Sequence, residues 1–451
     1  MKKLIISSIT FFLFILSTQS QTMEKKPSVI THPQWSRDAT IYEVNIRQYT
    51  PEGTFRAFEN HLPRLQKMGI RILWLMPINP IGSLNRKGSL GSYYSIKDYL
   101  GINPEFGSMA DFKSLVKKAH SLGMYVIIDW VANHTSWDNT LIREHPDWYK
   151  QDKSGKIISP VADWTDVAGL DYSKPGLRKY MSDAMLFWVK ETDIDGFRCD
   201  VAGMLPMDFW NETVPVLRKT KDIFMLAEDE NPGMHDVAFD ATYSWDLFHL
   251  MNNIAKGKKS ANKLDSALKA EEKRYNADAY RMRFTSNHDE NTWNGTEYER
   301  MGDGAQTFAV LSFTFPGFPL IYNGQESAMK RRLRFFDKDT IPWDDYPLEG
   351  FYTTLVKLKE KNKALLNGKE GGNLVKIPTT NDINVYAFTR SKGTDHLLVI
   401  LNLSAQSQDV ILSGNIFPGK FREQFTGQVR ELKPGEKMRL LPWEYFVYMK
   451  E

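Results

Sequence analysis

Apolar residues recur at intervals of three and four positions near the middle of the chain, just ahead of a short apolar run. This spacing predicts an amphipathic helix, whose apolar face carries Leu177, Tyr180, Met181, Ala184, Phe187 and Trp188. The run that follows, residues 194–202, predicts a strand whose end carries Arg198 and Asp200. Side chains two residues apart on a strand point the same way, so the guanidinium is expected to keep the carboxylate ionised. A structural ion pair is the alternative that this stretch alone leaves open.

Strand-compatible and helix-compatible segments alternate along most of the chain. Apolar runs of strand length occupy residues 39–49, 72–77, 124–128, 194–202, 221–227, 237–241, 280–286 and 319–326. Helices are expected at 54–68, after the capping box of Ser108 and Asp111, and at 348–362. This alternation predicts the α/β class and a (β/α)8 TIM barrel, with catalytic groups at the C-terminal ends of the strands.

Two segments interrupt the alternation. Residues 135–172 show little periodicity and are too long for an ordinary βα loop, so a short inserted subdomain is expected after the third strand. From residue 371 onward, short alternating strands with Pro-Gly turns predict a C-terminal antiparallel β-sandwich, residues 371–451. The barrel is then expected to comprise residues 21–134 and 173–370.

The first residues are typical of a secretory signal peptide. Lys2 and Lys3 precede an apolar run over residues 4–16 and a few small residues, which predicts a signal peptide over 1–20. No other stretch is long and apolar enough to cross a membrane, so no stable membrane anchor is expected. The only cysteine is Cys199, which excludes an internal disulfide. We expect a secreted or periplasmic protein.

The charge pattern argues against one class of partner. The 58 Lys and Arg residues nearly balance the 55 Asp and Glu residues, for a formal net charge of +3. Basic residues are scattered and their densest run, 330–332, is short, so no nucleic-acid partner is expected. Aromatic residues make up 13% of the chain. Most of them should pack in the core, and the remainder would suit stacking on sugar rings.

Polar residues cluster at the ends of four predicted strands. The clusters are Asp129 with Asn133 and His134, Arg198 with Asp200, Glu228, and Asn287 with His288 and Asp289. Asp200, Glu228 and Asp289 should meet at one barrel mouth, where their repulsion would destabilise a purely structural site. A cation is an alternative, but the dense spacing of a calcium loop is missing. Retaining glycoside hydrolysis uses such carboxylates, one as nucleophile and one as proton donor.

These clusters lie within stretches that resemble the motifs of the α-amylase superfamily, glycoside hydrolase family 13. The matching stretches are 129–134, 196–202, 225–228 and 284–289, with further likeness at 69–77, 94–99 and 317–326. Asp200 and Glu228 are 28 residues apart, and Glu228 and Asp289 are 61 apart. These separations fit strands four, five and seven of such a barrel, and the resemblance covers nearly the whole chain after the signal peptide.

The resemblance implies a role for each matching residue. Asp200 would be the nucleophile, Glu228 the general acid/base, and Asp289 would hold the 2- and 3-hydroxyls of the distorted sugar. Substrate-binding roles are implied for Arg198, which would also position Asp200, and for His134, His288, Tyr94 and Asn287. Asp129 is expected to order the network behind the site, and Cys199 to pack in the core.

No cofactor is expected for the chemistry, and two alternatives stay open for a structural calcium ion. Many α-amylases carry a Lys–His pair three and four residues after the nucleophile, and the His carbonyl binds calcium. Gly203 and Met204 occupy these positions here. If the ion is present, the resemblance implies Asn133 as a metal ligand, and Asp138 and Asp163 could contribute.

The resulting hypothesis is a retaining enzyme of the α-amylase type. It would cleave α-1,4-glucosidic bonds in starch-like glucans or maltodextrins by double displacement. An exo-acting, pullulan-cleaving or transglycosylating α-glucan enzyme is the alternative within this class. A catalytically idle α-glucan-binding relative is the alternative outside it, although the presence of all three carboxylates favours an enzyme. The sequence makes no prediction of the oligomeric state.

Overall fold

The computed structural model describes residues 30–414 and 418–451. The expected signal peptide, residues 1–20, lies outside them. Within these ranges no helix combines the length and the apolar composition that crossing a membrane requires.

Eight parallel strands close into a barrel, which confirms the predicted TIM barrel. The barrel strands are β1 (Ile41–Val44), β2 (Ile72–Leu75), β3 (Tyr125–Trp130), β6 (Gly196–Cys199), β7 (Phe224–Ala227), β8 (Ala241–Tyr243), β9 (Tyr280–Arg283) and β10 (Phe318–Tyr322). Two short antiparallel strands, β4 (His134–Ser136) and β5 (Val167–Gly169), lie in the segment inserted between β3 and β6. Around the barrel the order is β1-β10-β9-β8-β7-β6-β3-β2.

Helices pack around the barrel and connect its strands. They are α1 (Ile46–Tyr49), α2 (Phe55–Glu59), α3 (Leu62–Met68), α4 (Met109–Ser121), α5 (Leu141–Glu144), α6 (Pro175–Thr192), α7 (Met207–Arg218), α8 (Met234–Val237), α9 (Trp245–Ala255), α10 (Lys263–Arg274), α11 (Glu297–Met301), α12 (Ala305–Thr314) and α13 (Glu349–Lys361). Ser108 and Asp111 form the expected capping box at the start of α4, and Phe112 and Leu115 are buried on its inner face.

The structure corrects two predicted elements near the N-terminus. The first strand spans residues 41–44 rather than 39–49, because the Asn45 side chain accepts a hydrogen bond from the Gln48 N–H and starts a helical turn. The helix expected at 54–68 is divided into α2 and α3. Pro63 lies in the first turn of α3, where its missing N–H breaks no helical hydrogen bond.

The strand predicted at 237–241 is wrong. Residues 234–237 form helix α8, and strand β8 begins only at Ala241. The apolar run is buried because Phe239 packs against Trp210, with ring centroids 5.2 Å apart. Only Val237 of this run is helical, and residues 238–240 form the buried connection between α8 and β8.

Inward-facing side chains fill the centre of the barrel. Trp74, Ile127, Phe224 and Phe318 belong to one buried apolar cluster below the barrel mouth. Neighbouring positions on the same strands face outward onto the helices, as the two-residue period requires. The filled interior leaves the loops above the C-terminal ends of the strands as the place for a ligand.

Residues 374–414 and 418–450 form a separate antiparallel β-domain. Its strands are β11 (Leu374–Ile377), β12 (Val385–Lys392), β13 (Asp395–Asn402), β14 (Gln408–Ile411), β15 (Gly419–Glu423), β16 (Val429–Leu432), β17 (Lys437–Leu440) and β18 (Tyr445–Lys450). One sheet has the order β11-β12-β13-β18-β15-β16, and β14 pairs with β17 in the second sheet. Val385, Ile400, Val410 and Leu440 belong to the apolar cluster that both sheets share, as in a sandwich.

Candidate active site

Three carboxylates from different strands line one cavity at the barrel mouth. Asp200 follows β6 directly, Glu228 follows β7 directly, and Asp289 lies beyond the end of β9. The cavity has a volume of about 470 Å3, and His134 and Tyr94 line it together with these three groups. Side chains far apart in the sequence thus face the same space, which is large enough for a small ligand.

Arg198 lies beneath the carboxylates and is fully buried. Its Nη1 atom donates to Asp129 at 2.9 and 3.1 Å and to Asp200 Oδ1 at 3.1 Å. Its Nη2 atom lies 2.9 Å from Glu228 Oε2. One positive charge therefore serves three carboxylates, whereas the sequence analysis assigned it to Asp200 alone.

The shared arginine changes the expected ionisation of the site. Burial raises the pKa of Asp200 well above its ordinary value, and the Glu228 carboxylate raises it further, against the opposing effect of Arg198. Burial also raises the pKa of Glu228. Arg198 favours the ionised form of Asp200, as the sequence analysis expected, but it acts against burial and the Glu228 carboxylate. Two carboxylates that both resist ionisation tend to hold one proton between them.

The backbone after Asp200 is strained in a way that places Glu228. Val201 has φ +37°, a left-handed conformation that a β-branched residue rarely adopts. In this conformation its N–H donates a 2.7 Å hydrogen bond to Glu228 Oε2. Strain of this kind is typical of functional sites, and here it fixes one carboxylate of the pair relative to the other.

A second polar network surrounds His288 on the other side of the cavity. His288 Nδ1 lies 2.5 Å from Glu43 Oε1, and Nε2 lies 3.2 Å from Asp289 Oδ2. Burial alone would lower the pKa of His288, but the Asp289 and Glu43 carboxylates outweigh it and raise the pKa well above the ordinary value. Burial conversely raises the pKa of Asp289, but His288 reverses this effect and lowers it. Asp289 is therefore held as an anion.

Tyr94 and His134 complete the inner part of the cavity. The Tyr94 hydroxyl donates to Asp129 Oδ2 at 3.0 Å and lies 2.8 Å from His288 Nε2. Its ring is nearly parallel to that of His288, with centroids 5.5 Å apart. Burial lowers the pKa of His134 to about 4. His134 is thus neutral near pH 7 and can both donate and accept a hydrogen bond.

Two of the expected substrate-binding residues lie behind the cavity rather than in its lining. Arg198 contacts the carboxylates from below. Asn287 is fully buried, and its side chain accepts a 2.8 Å hydrogen bond from the Glu290 N–H. Asn287 therefore holds the turn that carries Asp289, which corrects the expectation of direct sugar binding.

The sequence analysis missed several residues of the site. Glu43 is a charged residue within the apolar first strand, and that contrast was a signal that could have identified it. Most of the remaining lining residues lie on loops without a recognisable pattern, although Val167 begins β5 and Val201 lies within the recognised stretch 196–202. The remaining lining residues are Lys87, Ser92, Trp164, Asp166, Val167, Val201, Trp293, Phe335 and Phe336.

The residues proposed for calcium do not offer a suitable set of donors. The Asn133 side chain lies against His134, with Nδ2 3.3 Å from Nδ1. Asp138 Oδ2 accepts from the Ser83 N–H at 3.0 Å and pairs with Lys97 at 3.2 Å. In the part of the chain that the structure describes, no group of three or more His, Cys, Asp or Glu residues could hold a metal ion. Calcium prefers six to eight oxygen ligands, and the side chains of Asn133 and Asp138 alone supply too few of them, so the structural calcium ion stays a prediction.

Two close carboxyl groups at the C-terminal end of a TIM barrel are the arrangement that retaining glycoside hydrolases use. The family model described as "Alpha amylase, catalytic domain" matches residues 18–165 and 161–396. The chain therefore belongs to the α-amylase family of glycoside hydrolases.

Known proteins of this family resemble the chain over most of its length. An alpha-amylase of Haloarcula japonica is 27% identical over 84% of the chain, which spans 57% of that protein. The chain thus spans little more than half the length of this relative. Neopullulanase 2 of Thermoactinomyces vulgaris is 25% identical over 93% of the chain and 79% of its own length. The crystal structure of a noncanonic maltogenic alpha-amylase of Thermotoga neapolitana is 32% identical, with a TM-score of 0.84, covering 92% of this chain and 98% of that one.

Proposed function

We propose that this protein hydrolyses α-1,4-glucosidic bonds in starch-like glucans or maltodextrins with retention of the anomeric configuration. The observation that carries the proposal is the placement of Asp200 and Glu228 on neighbouring strands, facing one cavity and sharing Arg198. Retaining glycosidases need two close carboxyl groups, one ionised and one protonated. Burial raises the pKa of both groups, which favours one shared proton on the pair. The assignment of that proton to Glu228 follows from the family's motif.

In the first step, Asp200 attacks the anomeric carbon while Glu228 donates its proton to the oxygen of the leaving sugar. The product is a covalent glycosyl ester on Asp200. In the second step, the Glu228 carboxylate takes a proton from water, which attacks the same carbon and releases Asp200. The anionic Asp289 and the charged His288 would hold sugar hydroxyls through both steps.

The names of the relatives support α-glucans as substrates, and they include enzymes with different bond and product preferences. Their names include alpha-amylase, neopullulanase and maltogenic alpha-amylase. Exo action, pullulan cleavage and transglycosylation remain alternatives within the proposal. A catalytically idle relative is disfavoured because Asp200, Glu228 and Asp289 all line the cavity.

The proposal includes export and chemistry without a cofactor. Lys2, Lys3 and the apolar run that follows support a signal peptide and a secreted or periplasmic location. The N-terminal sequence of the mature protein, recovered from the medium or periplasm, tests this part. Activity that survives a strong chelator is the expected result for a mechanism that relies on carboxyl groups alone.

The test of the catalytic assignment is product analysis with a matched pair of variants. The wild type should release α-anomeric maltodextrins from maltoheptaose or starch, and NMR identifies the anomer that is released first. The products of a pullulan digest show whether the enzyme also cleaves pullulan. Asp200→Asn should lower kcat by at least about a thousandfold, because the amide keeps its shape but is not a nucleophile. Asp183→Asn, on the exposed face of α6, should leave kcat unchanged. β-Anomeric products, or substantial turnover by Asp200→Asn, would contradict the proposal.

A further inference from the structure

Three loops on one side of the barrel mouth are tied together into a wall. We call residues 82–91, 163–167 and 333–337 the loop wall; they follow β2, β3 and β10 along the chain. In the closed barrel, β3, β2, β1 and β10 are consecutive neighbours. The loop wall therefore covers one continuous half of the mouth.

Hydrogen bonds and an ion pair join the three loops. Lys87 Nζ lies 3.0 Å from the Asp166 carboxylate and donates to the Asp163 carbonyl at 2.9 Å. On the other flank, the Leu90 N–H donates to the Phe336 carbonyl at 2.9 Å. The loop 82–91 thus bridges the inserted subdomain to the loop after β10. Lys87 provides one connection to the subdomain, beside the hydrogen bond from the Ser83 N–H to Asp138, and it also lines the cavity.

Aromatic rings continue the wall down into the cavity. Phe335 lies nearly parallel to Tyr94, with an interplanar angle of 14° and centroids 6.1 Å apart. Trp293, which is 51% exposed, packs on Phe335 at 5.3 Å. Flat rings in this position suit the apolar faces of sugars and bound the end of the cavity.

In the opposite half of the mouth the connections after β7 and β8 are short, whereas the one after β9, residues 284–296, is longer and carries Trp293. Only Ser244 separates β8 from helix α9, and residues 228–233 join β7 to α8. Glu228 belongs to this half, at the end of β7. A general acid must lie beside the leaving oxygen, so the leaving part of the chain departs over β7 and β8. The sugar that Asp200 attacks, and every unit on its non-reducing side, then points toward the loop wall.

We propose that the loop wall closes the glycone end of the cavity, so that the enzyme acts at non-reducing chain ends and releases short products, with Lys87 holding the wall closed. The inference rests on the proposed retaining hydrolysis and names the form of substrate that the site accepts. An α-glucan threaded through the site from its middle would have to pass through the Lys87–Asp166 connection.

The test compares two substrates that differ only at the non-reducing end. The first is 4-nitrophenyl α-maltopentaoside, and the second carries a 4,6-O-ethylidene group on its terminal glucose. The wild type should release one short glycone from the first substrate at early times. It should show kcat/KM at least about tenfold lower for the blocked substrate, because the added group meets the wall. Equal kcat/KM values with a mixture of glycone lengths would overturn the inference.

Variants of Lys87 test its part in the wall. Lys87→Met should bring the two kcat/KM values within about threefold of each other, whereas Lys87→Arg keeps the charge and should preserve the discrimination. Lys97→Met is the control, since Lys97 pairs with Asp138 in the same region but does not line the cavity. A Lys87→Met ratio equal to that of the wild type would overturn the role of Lys87. If the wild type cleaved neither substrate, the proposed function itself would fail, and the inference with it.

Discussion

Glu43 is the residue whose role depends most on its surroundings. Glu43 is fully buried on β1, and its carboxylate forms an ion pair with the imidazole of His288. Burial raises the pKa of Glu43, while His288 opposes that shift. Glu43 therefore acts through His288 rather than on the substrate, and its removal should be visible in the ionisation of that histidine.

Glu43→Gln should lower the pKa of His288, because a neutral amide no longer stabilises the imidazolium. His288 has a raised pKa in the folded state, so its charged form stabilises the protein at low pH and that contribution is lost as pH rises through the folded pKa. In the variant this contribution should be smaller, and its loss should be complete at a lower pH. The pKa is measured by nitrogen NMR of the imidazole, and kcat/KM should fall about tenfold. Glu297→Gln, another buried carboxylate that bonds Thr285 rather than a histidine, should leave the His288 titration unchanged.

Among individual residues, the sequence predicted those that lie within strong local motifs. Asp200, Glu228 and Asp289 each lie at or just after the end of a predicted strand. Once the barrel was recognised, the sequence therefore predicted that the three carboxylates meet at its mouth. The sharing of Arg198 among three carboxylates did not follow, because distances between strands depend on barrel closure. Lys87 and Asp166 could not be paired for the same reason: they are far apart in sequence and lie on irregular loops.

Gly196 shows how an element positions the nucleophile. It begins strand β6 with φ +148°, and a Cβ atom there would lie 1.8 Å from the carbonyl oxygen of Phe224 on β7. The close approach allows β6 and β7 to pair in the register that brings Asp200 beside Glu228. A side chain at this position would force the two strands apart.

Gly196→Ala should therefore destabilise the fold by about 2 kcal/mol or more, through the backbone clash and the disfavoured φ. Activity should fall as well, because the strand that carries Asp200 is displaced. The free energy of unfolding is measured by denaturant titration. Gly350→Ala, on helix α13 with nothing within 4 Å of the new Cβ, should be neutral or stabilising by up to about 1 kcal/mol. An unchanged stability for Gly196→Ala would contradict this account of the strand pairing.

Periodicity predicted the long elements better than the short ones. Helices α4, α6 and α13 have enough turns for their apolar faces to be distinguished from a strand pattern. The short run at 237–241 fits both periods, and the structure buries Phe239 against Trp210 in the connection between α8 and β8. Local pattern is therefore sufficient where an element is long, and tertiary packing determines the rest.

Over the whole molecule, the sequence predicted the order of layers but not the contacts between them. The barrel and the C-terminal sheets follow from the change in spacing near residue 371. Helix α12 is buried along nearly its whole length, and a helix that is apolar all round needs cover on every side. The C-terminal domain supplies part of this cover, since Phe308 of α12 lies near Trp443. The two domains should therefore depend on each other for stability.

Arg390 of β12 connects the C-terminal domain to the end of α12. It is 2% exposed, and its guanidinium donates to the carbonyls of Thr314 and Phe315 at 3.1 and 3.3 Å. A third bond reaches the Gly372 carbonyl at 3.0 Å. The carbonyl groups at the C-terminal end of a helix have no partners within it, so this side chain satisfies groups that would otherwise be buried without a hydrogen bond.

Arg390→Met should lower the free energy of unfolding by about 2 to 4 kcal/mol, because the methionine fills similar space but leaves buried carbonyls unpaired. The turnover of an activated glucoside, normalised to folded protein, should be unchanged, since Arg390 lies far from the mouth in the fold and does not line the active-site cavity. Arg422→Met removes an exposed pair with Glu451 in the same domain and should change stability by less than about 0.5 kcal/mol. Equal effects of the two variants would contradict this role of Arg390. A loss of turnover in folded Arg390→Met would show that the β-domain also shapes the site.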